Sequence, residues 1–231
     1  VDSTSSMATD QIVSGALTSA TFATAVDTPG YASVAPVSFT TAGRVEVGGK
    51  VVLMMPAESG AQHSWRFTDG ASPSEETSGT SNAPTITFTT PSSNAPTAVS
   101  VGYTLSTRTL VLTVGANDMA QSTQHVFTIS NALTPSSVVG SSNVVATTRD
   151  GQDKVGDTTS SMATGKVDEG DLVSATFATA TDTPGFDSVA TVSFTTVGRV
   201  ETGGKIVLVM PSVAGVQHGW RFTDGSVETS G

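Results

Sequence analysis

Gln62-His63-Ser64-Trp65-Arg66-Phe67-Thr68-Asp69-Gly70 returns as Gln217-His218-Gly219-Trp220-Arg221-Phe222-Thr223-Asp224-Gly225, with a single change, Ser64 to Gly219. Inside the segment His63, Trp65 and Phe67 alternate with Gln62, Ser64 and Arg66, and Asp69-Gly70 closes it. Alternation with a period of two, stopped by Asp-Gly, marks a β-strand running into a turn. The pattern sends Trp65 inward with His63 and Phe67 and leaves Arg66 outside.

Working outward, the match continues without a gap. Residues 1–70 align with 156–225 at a period of 155, with 48 of 70 positions identical, and Ser6-Met7-Ala8-Thr9 returns as Ser161-Met162-Ala163-Thr164. The chain therefore reads as one and a half units of a tandem array, an organisation suited to bridging distance, presenting surface or building fibres. The expected division is a first repeat at 1–155, with its core at about 16–150, and the N-terminal half of a second at 156–231. That half would be completed by neighbouring strands or by the rest of a longer polymer.

Elsewhere alternation recurs between Gly, Pro, Asn and Asp punctuation, and helical periodicity is almost absent, so the fold expected is all-β. Candidate strands are Thr18–Ala25, Val34–Thr41, Lys50–Met55, the His63–Phe67 segment, Thr85–Thr89, Val99–Leu105, Thr109–Val114, His125–Ser130 and Asn143–Thr148. Val99, Val101, Tyr103 and Leu105 should share a face, and Ala71–Pro84 reads as a loose loop. About nine short strands in one period suit two packed antiparallel sheets. The competing parse, two modules of about 75 residues per period, leaves only four strands in residues 1–75, few for an independent core without disulfides or metal.

Composition narrows the function. Charged residues make up 13% of the chain, Ser and Thr together 69 of 231 positions, and the net charge is −10. Ten basic residues dispersed among twenty acidic ones make no footprint for nucleic acid or anionic membrane. Cys is absent, which excludes disulfides and thiolate metal sites. No apolar run approaches the ~20 residues that span a bilayer. Hydroxyl abundance favours an extracellular setting with O-glycosylation, and no Asn-X-Ser/Thr sequon occurs.

The succession Val37-Ser38-Phe39-Thr40-Thr41, Gly48-Gly49-Lys50-Val51-Val52-Leu53-Met54-Met55-Pro56 and Phe127-Thr128-Ile129-Ser130-Asn131 … Thr134-Pro135-Ser136-Ser137 resembles immunoglobulin-like repeats of large secreted surface, adhesin or filament proteins of microbes and algae. The resemblance implies antiparallel Ig-like β-sandwiches in tandem 155-residue repeats and an extracellular or cell-surface location. It carries no functional residues across.

Four groups of side chains invite chemistry. Trp65 and Arg66, with Trp220 and Arg221, could stack on and hydrogen-bond a glycan, although the alternation favours Trp65 as a core anchor. Asp150, Asp153 and Asp157, at the join of successive repeats, could hold Ca²⁺, but their spacing is not that of an EF-hand and Asp-Gly is ordinary hairpin vocabulary. Asp168, Glu169 and Asp171 form an acidic group whose counterparts are Val13, Ser14 and Ala16, so a site built into every unit could not depend on it. Lys50 and Lys205, each after Gly-Gly at the start of an apolar strand, invite an isopeptide cross-link to an Asn, with Asn143 as the candidate acceptor. No nucleophile elbow, zinc-binding His pair or phosphate loop is present, and His63, His125 and His218 are the only imidazoles, so an enzyme is not expected. The expectation is a structural repeat protein whose partners are copies of itself, with an adhesin stalk or glycan-binding module as the alternative.

Overall fold

The computed structural model describes residues 10–70, 83–216 and 218–222, and among these every regular element is a strand. In chain order the first are β1 (Gly15–Ala16), β2 (Thr18–Phe22), β3 (Ala32–Thr40), β4 (Lys50–Met54) and β5 (Arg66–Phe67). Then come β6 (Ile86–Thr90), β7 (Thr97–Thr104), β8 (Thr109–Ala116), β9 (Gln124–Leu133) and β10 (Asn143–Arg149). β11 (Val155–Ala163), β12 (Leu172–Thr179) and β13 (Ala190–Thr196) complete the set. The loop expected at Ala71–Pro84 lies almost wholly outside the described residues. By contact density the chain divides at Val200/Glu201 into two units.

In the first unit one sheet runs β1-β11-β10-β4-β8-β7 and a second runs β2-β3-β9-β5, with β6 also on β9. β9 is long enough to hold β3 along one edge and, in succession, β6 and β5 along the other. Each sheet draws strands from both halves of the 155-residue period: β4 lies between β8 and β10, and β9 lies beside β3. The arrangement is an all-β, sandwich-like one.

Alternation explains the core. Ala35, Val37 and Phe39 of β3 and Phe127 and Ile129 of β9 point inward, as do Val51 and Leu53 of β4 and Leu110, Leu112 and Val114 of β8, all in one buried cluster. β-branched and aromatic side chains suit such a half-buried pleated surface. Trp65 anchors the cluster. Its ring meets Phe22 edge to face at 5.4 Å, its Nε1–H donates to Glu58 Oε1 at 3.2 Å, and its carbonyl accepts the Tyr103 hydroxyl at 2.9 Å.

Two sequence expectations need correction. Arg66 is buried like its neighbours Trp65 and Phe67, because alternation assigns a residue to a face without saying whether that face is covered. Val99 and Leu105 do not join Tyr103 in the core. β7 is an edge strand whose pairing with β8 slips between Ala98 and Ser100, and a bulge reverses the facing at Val99, while Leu105 lies past the end of β7 in the turn to β8.

β12 and β13 form a separate two-stranded sheet. In the repeat they are the counterparts of β2 and β3, and the pairing is the same to the residue: Phe177 opposite Val192 and Thr176 opposite Ser193, against Phe22 opposite Val37 and Thr21 opposite Ser38. Each ladder slips at the same place, where Ser19 and Ser174 take φ of 49° and 55°. The second unit, 201–231, has no strand among its described residues.

Candidate functional site: the join between the two copies

β11 belongs to the second copy by sequence and to the first sheet by pairing. It runs antiparallel to β10, from Asn143 opposite Ala163 to Arg149 opposite Val155, and parallel to β1, with Gly15 opposite Asp157. Asp157 is 2% exposed. Its carboxylate accepts N–H bonds from Ala42 and Gly43, both at 2.9 Å, and its own N–H donates to Thr148 Oγ1 at 2.8 Å. A buried carboxylate is tolerable only with such donors. Gly15 makes the room: a Cβ there would lie 2.2 Å from Asp157 Oδ1.

The chain stays attached beyond β11. Thr164 N–H donates to the Ser142 carbonyl at 2.7 Å, and Val139 and Val167 exchange both backbone hydrogen bonds, at 3.2 and 2.9 Å. Asp168 N–H then donates to the Asp27 carbonyl at 2.9 Å, and Arg199 N–H to the Gly30 carbonyl at 3.1 Å. Two glycines permit this approach. A Cβ at Gly198 would stand 1.8 Å from the Pro29 carbonyl oxygen, and one at Gly170 would stand 2.5 Å from Thr28 Cγ2. The Asp27-Thr28-Pro29-Gly30 turn is thus a seat for the opening segment and hairpin of the next copy. Beside it a cleft of about 320 Å³ lies between Tyr31, Asn131, Val197 and Arg199.

The three aspartates considered for calcium are spread over different tasks. Asp150 Oδ1 accepts from Gln152 N–H and Lys154 N–H, both at 2.8 Å, and so shapes the turn between β10 and β11. Asp153 pairs with Lys50, Oδ1 to Nζ at 2.6 Å, and that bond holds its carboxyl below the usual range. Asp157 faces the other way, into the sheet. Among the described residues no three His, Asp or Glu gather as a metal-binding group. Asp168 pairs with Lys166 at 2.8 Å on the exposed stretch before β12.

Lys50 stands opposite Arg149 on β10, six residues from Asn143, a separation of roughly 20 Å along a strand. No cross-link between those two can form. Trp65 and Arg66 are enclosed and offer no face to a sugar, whereas Trp220 is 46% exposed and Arg221 is exposed in the second unit.

Sequence reasoning missed the seat at residues 27–30 and the Val139–Val167 bridge. One signal was available: Asp-Thr-Pro-Gly, Gly43-Arg44 and Gly15 all recur unchanged, as 182–185, Gly198-Arg199 and Gly170. In comparisons with known proteins, no family model, curated protein or solved structure matches the chain. Fold and join together define an all-β, sandwich-like protein in which a strand of the second sequence copy completes a sheet of the first.

Proposed function

We propose that the chain is a structural segment of an extracellular filament, hair or surface fibre, made of Ig-like sandwich units at the 155-residue period that propagate by stacking or strand exchange. The carrying observation lies in the second unit. Lys205–Val209 repeats the sequence position of β4, yet Ile206, Val207, Leu208 and Val209 are all exposed there, while Val51 and Leu53 of β4 are fully buried. Apolar surface is stabilised by about 25 cal/mol per Å² on leaving water, and an open apolar edge favours further strands. In the first copy the same position is covered by β8 and β10.

Hydroxyl-rich outer faces fit a glycosylated extracellular surface. The adhesin alternative draws on Trp220 and Arg221, but the same Trp and Arg are core residues in the first copy, so the filament reading is preferred. Sedimentation with electron microscopy tests it. The expected result is concentration-dependent association into elongated particles with an axial period set by the repeat. Chains that stay monomeric and folded at micromolar concentration would end this reading.

A further inference from the structure

The same position of the repeat has opposite fates in its two copies. Val167 is 0% exposed against Val139, whereas its counterpart Ile12 is 97% exposed. Likewise the Asp27–Gly30 turn carries the second copy's opening residues, while Asp182–Gly185, identical in sequence, is open to solvent. What differs is the neighbour. Val167 has a preceding sandwich to close, and Asp27–Gly30 has a following copy to seat.

We propose that the structural unit is offset from the sequence period by about a dozen residues, so that each repeat closes the sandwich before it. The Val155–Val167 segment is the closing piece for the first sandwich, Ile12 is the corresponding plug for a preceding copy, and Asp182–Gly185 is the seat for a following one. The partner at both ends is another copy of the same repeat, a choice fixed by the copy already seated on Val139 and on residues 27–30. This rests on the reading of the chain as part of an array.

Three features make the join directional. The Asp157 carboxylate in its backbone N–H cradle sets the register of β11; a slip of one residue would place Gly156 or Thr158 there and leave the amides of Ala42 and Gly43 without an acceptor. Val167 then fills the space at Val139. Finally Gly198 brings backbone against the Pro29 carbonyl, and Gly170 lies close against the Thr28 side chain, so a larger residue at either position would crowd the turn. Tension along such an array passes through a strand zipped into a sheet on both sides rather than through a free linker.

The test uses one substitution at two equivalent positions. In the full 231-residue chain, Val167→Asp should lower amide-exchange protection at Val139 and Met162 roughly tenfold or more, and Ile12→Asp should leave it unchanged. If Val167→Asp abolishes folding, Val167→Ala gives the graded version of the same comparison. In a chain lengthened by one more copy of residues 1–155 at its N-terminus, the Ile12→Asp change should lower protection at the newly formed join as well. Equal responses at the two positions in the 231-residue chain, or silence of Ile12→Asp in the lengthened one, would overturn the proposal. A chain that passes these tests and never assembles would refute the filament reading alone; one that assembles and fails them would refute only the shared-strand join.

Discussion

Phe22 and Phe177 sit at one position of the repeat, opposite Val37 and Val192 in hairpins of identical register, yet Phe22 and Val37 are buried and their counterparts are partly exposed. The contrast widens along the chain: Leu53 is 0% exposed and Leu208 is 48% exposed. Nearly the same sequence therefore makes the same hairpin twice but a core only once. Hairpin pairing is satisfied by residues close in sequence, while the inward face of a sheet needs another sheet from far along the chain. For β4 those distant partners are β8 and β10.

Truncating the inward leucine should give the largest separation between the copies. Leu53→Ala should cost about 2–5 kcal/mol by lost burial and cavity formation, and Leu208→Ala no more than about 0.5 kcal/mol, the usual range for a surface change. Urea unfolding followed by Trp65 fluorescence in a Trp220→Phe background measures the first, and amide exchange at Leu208 and its neighbours measures the second. Comparable losses would show that the second copy is packed like the first in solution.

The join comes next. Asp157→Ala should destabilise the first sandwich by about 1–3 kcal/mol, because it removes the buried carboxylate that accepts the Ala42 and Gly43 amides. Asp150→Ala, in the exposed turn, should do less. A reversal of that order in urea midpoints would move the anchor of β11 from the cradle to the turn.

A smaller effect should appear with pH. Burial lowers the pKa of His125, only partly opposed by its contact with the Ala120 carbonyl, and its Nδ1 has no hydrogen-bond partner among the described residues. The unfolded chain binds the proton more readily, so stability should be full above the ordinary His value of 6.5 and fall as pH drops from there towards the lowered folded value. Unfolding midpoints at a series of pH values from neutral to mildly acidic should slope downward, and His125→Leu should flatten that slope. An unchanged slope in the variant would assign it to other groups.

Smallest in stability, though direct in readout, is tryptophan access. In single-tryptophan variants, acrylamide should quench Trp220 readily and Trp65 hardly at all, as their exposures of 46% and 1% require. Equal protection would mean that Trp220 is covered in solution, as assembly of the second copy would do. Disruption of the exposed Lys50–Asp153 pair should leave unfolding unchanged within error.

Much of this was legible beforehand. Alternation located β2 to β10 but not the short β1, with His125–Ser130 within β9 and Asn143–Thr148 within β10, and it sent Trp65 and Phe67 inward. It failed where a face is covered from outside, at Arg66, and where a bulge breaks the period, at Val99. The Asp157 cradle was invisible because Ala42 and Gly43 act through backbone amides, more than a hundred residues away in sequence. The three neighbouring aspartates suggested a shared ligand; in the fold each carboxylate points to its own donor.

By itself the sequence determined the all-β character and the period of 155, since these depend on side-chain alternation and on the repetition itself, and the two copies share one hairpin register and one slip, at Ser19 and Ser174. Only the tertiary structure decided which sandwich β11 belongs to. A repeat read along the sequence has no privileged starting point, so its phase is set by long-range pairing: Val155–Val167 goes where a carboxylate finds two amides and a valine finds a valine.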